Sequence, residues 1–173
     1  MILRRIIAGC LATVLLAGCW IDDPVEQGED PVKVGDAVPS FCVTLQDGSV
    51  FHSESIKGQP AVIVFFHTTC PDCRQTLPVV QQMYEQYSPL GVRFVCISRA
   101  QAASEIETFW LQKRLTLPWS AQEDRRIYSL FAASRIPRVY VVDRSGRVRS
   151  IFHDNPVPSR EELSAALDTV LAE

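Results

Sequence analysis

The segment that most constrains this chain runs Ala61-Val62-Ile63-Val64-Phe65-Phe66-His67-Thr68-Thr69-Cys70-Pro71-Asp72-Cys73. Its apolar first half is rich in β-branched and aromatic side chains and too short for an ordinary helix, so it predicts a strand buried on both faces. After a three-residue loop, Leu77, Val80, Met83, Tyr84 and Tyr87 recur at helical spacing from Pro71 to Tyr87. The two cysteines therefore fall in the opening turn of a helix that Pro78 should bend.

A C-x-x-C pair at that place can close a small disulfide ring. The unpaired N–H groups and the dipole of a helix start favour a thiolate on the first sulfur. Cys70 is thus the expected nucleophile, and Cys73, one turn along and more buried, the thiol that resolves a mixed disulfide. The rival readings are half of a zinc site and two incidental cysteines. Zinc needs four ligands, and Cys42, Cys96 and the three histidines show no second C-x-x-C or H-x-x-x-H spacing. Although the chain has six cysteines, a disulfide framework belongs to short secreted chains, and 173 residues can bury one proper core.

Around this segment strands and helices alternate. Phe41 to Leu45 and Val50-Phe51 flank an Asp47-Gly48 turn, an early hairpin. Val92 to Ile97 predicts a second buried strand, and Glu105 to Leu115 a helix with Ser104 as its N-cap. Leu117 to Ser120 reads as a short extended piece and Arg125 to Ala132 as a short helix. Val139 to Val142 and Val148 to Phe152 flank Asp143-Arg144-Ser145-Gly146, which predicts an antiparallel pair. Ser159-Arg160-Glu161-Glu162 is a capping box ahead of a final amphipathic helix. Ile136-Pro137 just before a strand marks a strand start, or, opposite a dithiol, a cis peptide presenting the Ile136 backbone to an extended partner.

The N-terminus reads as an address. Arg4 and Arg5 precede an apolar run from Ile6 to Ala17, too short to span a bilayer, and Leu16-Ala17-Gly18-Cys19 resembles a bacterial lipobox. Residues 1–18 are then a lipoprotein signal peptide and Cys19 the acylated first residue of the mature chain, held to the lipid bilayer. Residues 19–34 form an acidic tether, with Asp22, Asp23, Glu26, Glu29 and Asp30 against Lys33. Residues 35–173 form the folded domain. The formal net charge of −3 and the lack of a basic stretch exclude a nucleic-acid partner.

In the order and spacing of these motifs the chain resembles the thioredoxin superfamily, most closely the TlpA/ResA-like extracytoplasmic thiol-disulfide oxidoreductases, from about Val34 onward. The resemblance rests on Ala37-Val38-Pro39-Ser40-Phe41 with Asp47-Gly48, on Val62 to Phe66 leading into Cys70-Pro71-Asp72-Cys73-Arg74 and Leu77-Pro78, and on Ile136-Pro137-Arg138 through Asp143 and Gly146. It implies an α/β, thioredoxin-like fold: a central mixed sheet flanked by helices, with an N-terminal β-hairpin extension. Nucleophile and resolving roles for Cys70 and Cys73 follow, with Pro71, Asp72, Ile136 and a cis Pro137 in support and no cofactor or metal. The implied partners are disulfide-containing envelope proteins and a membrane electron donor, in an extracytoplasmic space such as the periplasm.

Several positions depart from that family pattern. Thr69 stands where tryptophan is common, Thr76 where ResA-like members place a glutamate, and Val64 where thioredoxins place a buried aspartate, so no obvious buried carboxylate remains to relay protons. Asp72 is expected to face solvent, and Arg138 to be a solvated strand-end charge. Because Asp72 rather than a positive histidine occupies the second intervening position, reduction of partner disulfides is the favoured direction. Cys96 reads as a core residue, Cys42 as facing the less apolar side, His67 as a partly exposed loop residue, and Trp110 and Trp119 as core or groove aromatics. His52 and His153 have no partner by spacing. The alternatives are a copper-delivery protein using the dithiol with His153, a peroxiredoxin-type peroxidase, and a non-catalytic binding domain. The peroxidase motif would require proline at 63 and threonine at 67, where Ile63 and His67 stand.

Overall fold

Every residue of the apolar run is buried in the computed structural model, which describes residues 28–173. The run forms β3 (Ala61–Phe66), the middle strand of a five-stranded sheet. It is flanked by β4 (Arg93–Ser98), which pairs with it in parallel, and β6 (Arg138–Val142), which pairs antiparallel. Outside these lie β5 (Trp119–Ser120), parallel to β4, and β7 (Val148–Phe152), antiparallel to β6. The sheet is therefore mixed, in the order β5-β4-β3-β6-β7. The parallel step from β3 to β4 requires a crossover, which α1 (Pro71–Tyr87) supplies.

Before the sheet comes the expected hairpin, β1 (Cys42–Thr44) and β2 (Val50–His52), in register Cys42 to His52 and Thr44 to Val50. Just beyond it, the Gln46 N–H donates to the Trp119 carbonyl at 3.0 Å, and the Trp119 N–H donates to Gln46 Oε1 at 2.7 Å, so the hairpin closes against edge strand β5. The other helices are α2 (Ala103–Lys113), the single turn α3 (Arg126–Ser129) and α4 (Arg160–Ala172). Helix α4 starts on the capping box of Ser159 and Glu162 and packs on α1, where the Tyr87 hydroxyl meets Ser164 Oγ at 2.6 Å and Asp168 Oδ1 at 2.8 Å. Helix α2 does not use Ser104 as its cap. It begins two residues earlier, with Ala102 in the N-cap position and no side-chain cap, because Gln101 and the strand before it fix the entry of the chain.

Consecutive strand residues point to opposite sides of a sheet. Phe65 packs on Tyr128, Phe131 and Tyr140, and Phe66 on Trp110. The Phe65 side also receives the N-terminal segment: Val32 is buried and its N–H donates to the Phe131 carbonyl at 3.3 Å. From Gly28 onward, therefore, the stretch that composition presents as solvated tether lies against the domain. The buried Val32, the ion-paired Asp30 and backbone bonds from Val32 and Gly35 to Phe131 and Val148 dock it. The expected signal peptide of residues 1–18, the candidate lipidation site Cys19 and the expected tether up to residue 27 lie outside the described residues. Among the described residues no helix is long and apolar enough to cross a membrane.

Candidate active site

The site forms where β3 ends. Its chain leaves the sheet at Phe66, crosses His67-Thr68-Thr69 and enters α1 with Cys70 as the N-cap residue, in extended backbone conformation, and Pro71 as the first helical residue. Proline suits that position because its missing N–H would have no partner there. The Cys73 N–H, one of the helix's otherwise orphaned donors, points at Cys70 Sγ from 3.4 Å. Backbone bonds from Cys70 N–H to His67 O (3.1 Å) and from Arg74 N–H to Cys70 O (3.1 Å) fix the turn on both sides. Cys70 is half-buried and Cys73 fully buried. Burial pushes the Cys73 thiol far above the ordinary thiol value; the His67 backbone N–H and Arg99 pull it down without overcoming that. The two sulfurs are thus unlike: one is reachable and met by a donor, the other is held protonated beneath it.

Register brings the second element to the same point. Phe65 of β3 lies opposite Arg138 of β6, so the residues preceding Arg138 run alongside those following Phe65. The Ile136–Pro137 peptide is cis, and the Cys70 thiol donates to the Ile136 carbonyl at 3.5 Å. Arg135, just before, has a φ of 67°, and its carbonyl accepts from the Tyr128 hydroxyl at 2.7 Å. Cys70, Cys73, Ile136 and Pro137, separate in the sequence, are therefore adjacent. Pro71 is exposed, and Asp72 is half-buried rather than fully turned to solvent.

Several residues that hold the site have no signature in the sequence. Gln101 is buried 33 positions from Thr68 and clamps it reciprocally: the Thr68 N–H donates to Gln101 Oε1 at 2.9 Å and Gln101 Nε2 donates to Thr68 Oγ1. Gln101 Nε2 also donates to Glu105 Oε2 at 2.9 Å. The Thr68 carbonyl takes an Arg74 Nη1 bond at 3.2 Å, and that guanidinium lies 5.2 Å from the centre of the Phe109 ring. Arg99, immediately after β4, lies 5.2 Å over the Tyr128 ring.

Other candidates fall elsewhere. Thr76 and Val64 are fully buried, and the Thr76 hydroxyl is spent on the Asp72 carbonyl at 2.9 Å. Among the described residues the one fully buried carboxylate is Asp143, at the end of β6 that pairs with the start of β3. At about 3.3 Å per residue, the length of β3 separates it from the dithiol by roughly 20 Å. Cys96 is sealed in β4 and Cys42 is exposed on β1. His67 is half-buried, its Nδ1 beside the Thr69 N–H and hydroxyl. Trp110 and Trp119 are both core and groove, lining with Leu45 and Leu111 a cavity of about 570 Å³ beside β5.

Arg138 corrects the sequence expectation outright. It is not a solvated charge: 4% of the residue is exposed, and its guanidinium pairs with Asp30 at 2.9 Å. The β6 side chain points inward at that register, onto the side of the sheet that the N-terminal segment covers. His153, which spacing left without a partner, meets the same guanidinium through Nδ1. No group of three His, Cys, Asp or Glu side chains comes together among the described residues, so the dithiol and His153 do not form a copper site here.

Comparison with known proteins agrees with this architecture. The ResA thiol-disulfide oxidoreductase of Bacillus thuringiensis is 22% identical over 147 residues, which is 85% of this chain and 82% of that protein. A thiol:disulfide interchange protein of the thioredoxin family from Chlorobium tepidum superposes with a TM-score of 0.70 at 23% identity, over 80% of this chain and 98% of the other. The peroxidoxin BcpB of Mycobacterium tuberculosis shares the fold too, at a TM-score of 0.65 and 17% identity over 82% and 97% of the two chains. The AhpC/TSA family model matches residues 34–151, from the docked N-terminal segment through the dithiol helix and the Ile136-Pro137 loop into β7. With most of its length matched, the chain belongs to the AhpC/TSA family.

Proposed function

We propose that this chain is a thiol-disulfide oxidoreductase whose Cys70-Pro71-Asp72-Cys73 dithiol reduces disulfides of cell-envelope proteins. The observation that carries the reading is the asymmetry of the two sulfurs at the start of α1: a reachable Cys70 facing the Ile136 carbonyl, over a buried, strongly protonated Cys73. The printed name of the ResA relatives supports it, and the absence of proline at 63 and threonine at 67 argues against the peroxidase relatives' chemistry.

In this reaction the Cys70 thiolate attacks one sulfur of a partner disulfide, forming a Cys70–partner bond as the partner's own S–S bond breaks and releases one partner thiolate. Cys73 then loses its proton to that thiolate or to water and attacks Cys70. The Cys70–Cys73 disulfide forms, the second partner thiol leaves, and two electrons have passed to the partner. The buried state of Cys73 delays the second step until the mixed disulfide has formed. An extended partner would pair with the Ile136 backbone while it is held.

A reductant must be recharged by a two-electron donor, which we place in the membrane. Anchoring through acylated Cys19, supported by Leu16-Ala17-Gly18-Cys19, would keep the domain near it. Asp72 in the motif supports the reducing direction, with a potential nearer thioredoxin, about −270 mV, than DsbA, about −120 mV. The deciding experiment is a Cys73→Ser trap in intact cells. It should accumulate mixed disulfides through Cys70 that reductant releases; a trap that captures nothing overturns the function, and a glutathione equilibrium near the DsbA value overturns the direction.

A further inference from the structure

Arg138 begins β6 directly after Pro137 and carries a full charge into a side-chain environment only 5% exposed. A buried guanidinium is tolerated only where acceptors surround it. Here they are Asp30 Oδ2 (2.9 Å from Nη1), Asp30 Oδ1 (3.3 Å from Nη2), the Ser134 carbonyl (2.7 Å from Nη2) and His153 Nδ1; Nε alone finds no acceptor among the described residues. Asp30 Oδ1 also accepts the Ala133 N–H at 3.0 Å. One carboxylate from the N-terminal segment thus bonds both ends of the loop from Ala133 to Arg138, and Arg138 reaches back across the loop to the Ser134 carbonyl beside Ala133.

That loop contains the left-handed Arg135 and the Ile136 carbonyl that faces Cys70 Sγ. We infer that Asp30 is a positioning residue for partner binding: through Arg138 it staples the Ala133–Arg138 loop, so the segment leading from the chain's N-terminus completes the edge on which a partner docks. The inference rests on the redox reading above. Cys70 itself is fixed independently, by α1 and by Gln101 on Thr68. Loosening the staple should therefore weaken the hold on an extended partner and spare the chemistry at sulfur. Without the Asp30 charge, Arg138 loses the one ionic partner it has among the described residues and is drawn toward water, loosening its hold on the Ser134 carbonyl.

The test uses the full chain, prereduced, in single turnovers with two probes: a cystine-bridged decapeptide and hydroxyethyl disulfide, which is too small to pair with the loop. Asp30→Asn, which keeps an oxygen for the Ala133 N–H but removes the charge, should raise the half-saturating decapeptide concentration about tenfold, equivalent to ~1.4 kcal/mol. The plateau rate and the hydroxyethyl disulfide rate should change less than about twofold. Asp30→Glu should restore most of the loss, and Arg138→Gln, which removes the other half of the pair, should reproduce it. An unchanged half-saturation in Asp30→Asn and Arg138→Gln, or a parallel fall with both probes, overturns the staple and leaves the dithiol reading standing. Failure of the unsubstituted chain to reduce either probe overturns that reading instead.

Discussion

Replacing Gln101 by leucine tests how the fold holds its reactive turn. The native amide accepts the Thr68 N–H at 2.9 Å and donates to Thr68 Oγ1, with 3% of Gln101 and 6% of Thr68 exposed. Leucine leaves the Thr68 N–H buried without an acceptor, a cost of about 1–3 kcal/mol. The Thr68 hydroxyl loses its donor but can rotate, adding ~1 kcal/mol, and the extra apolar burial of leucine returns about as much. Glu105, exposed, goes back to water at little cost. The net loss is about 2 kcal/mol, or roughly 6 °C in melting temperature for a domain of this size. Thr68 lies two residues before Cys70, so the damage should be local as well as global. Thermal melts followed by circular dichroism give the first quantity, and amide hydrogen exchange gives the second: the N–H groups of Thr68 and of Cys73, the latter aimed at Cys70 Sγ, should lose protection before those of β3. A melting change below about 2 °C together with unaltered exchange at Cys73 would refute the clamp.

Acidity should act through two histidines. Burial first, with Arg138 adding to it at His153 and Arg99 at His67, holds both below the ordinary value of 6.5. Below pH 6.5 the unfolded chain therefore binds protons that the native chain refuses, and stability should fall as pH drops from 7 toward 5. Urea midpoints across that range should flatten in His153→Gln, whose amide oxygen can still accept from Arg138; an unchanged slope in that variant would remove His153 from the account. At Asp143 burial works upward, but Ser145, the Arg147 N–H and Arg149 outweigh it and hold the carboxyl below the usual carboxylate range. Its contribution should be present above about pH 4 and lost as pH falls through the lowered value. Asp143→Ala, which strips the acceptor from the Ser145 and Arg147 N–H groups and the carboxylate from Arg149, should cost about 1–2 kcal/mol in urea unfolding, since both N–H groups sit on exposed residues that water can reach, while Cys70 reactivity stays as it was. Alkylation of the native reduced chain followed by mass spectrometry should label Cys42 and Cys70 and spare Cys73 and Cys96 until urea is added; early labelling of Cys73 would contradict the buried partner thiol.

What the sequence discloses here is local, and what it conceals is distant. Ala61 to Phe66 declares itself by continuous apolarity, the final helix by its capping box, and the reactive turn by two cysteines at a helix start, because each signal is carried by neighbours in the chain. Arg138 does not declare itself, since its pairing with Asp30 spans 108 positions and a charge next to a strand end is ordinarily wet. Shorter separations, of 33 and 15 positions, equally hide Gln101 behind Thr68 and His153 behind Arg138. Ser104 misleads for the opposite reason: a good capping residue lies one step inside a helix whose start is set by the buried residue before it. Motif order could bring Cys70 and Pro137 together only through family resemblance; the register of β3 against β6 supplies the physical reason.

The contact of Gln46 with Trp119 has a bearing on self-association. Edge strands offer unpaired amides to any extended chain that drifts past, including another copy of the same protein. Strand β5 is two residues long, and its Trp119 N–H and carbonyl are both occupied by Gln46. The hairpin extension thereby blocks one flank of the sheet as a template for fibrils or swapped dimers, because a second copy arriving at Trp119 would find both backbone groups already taken.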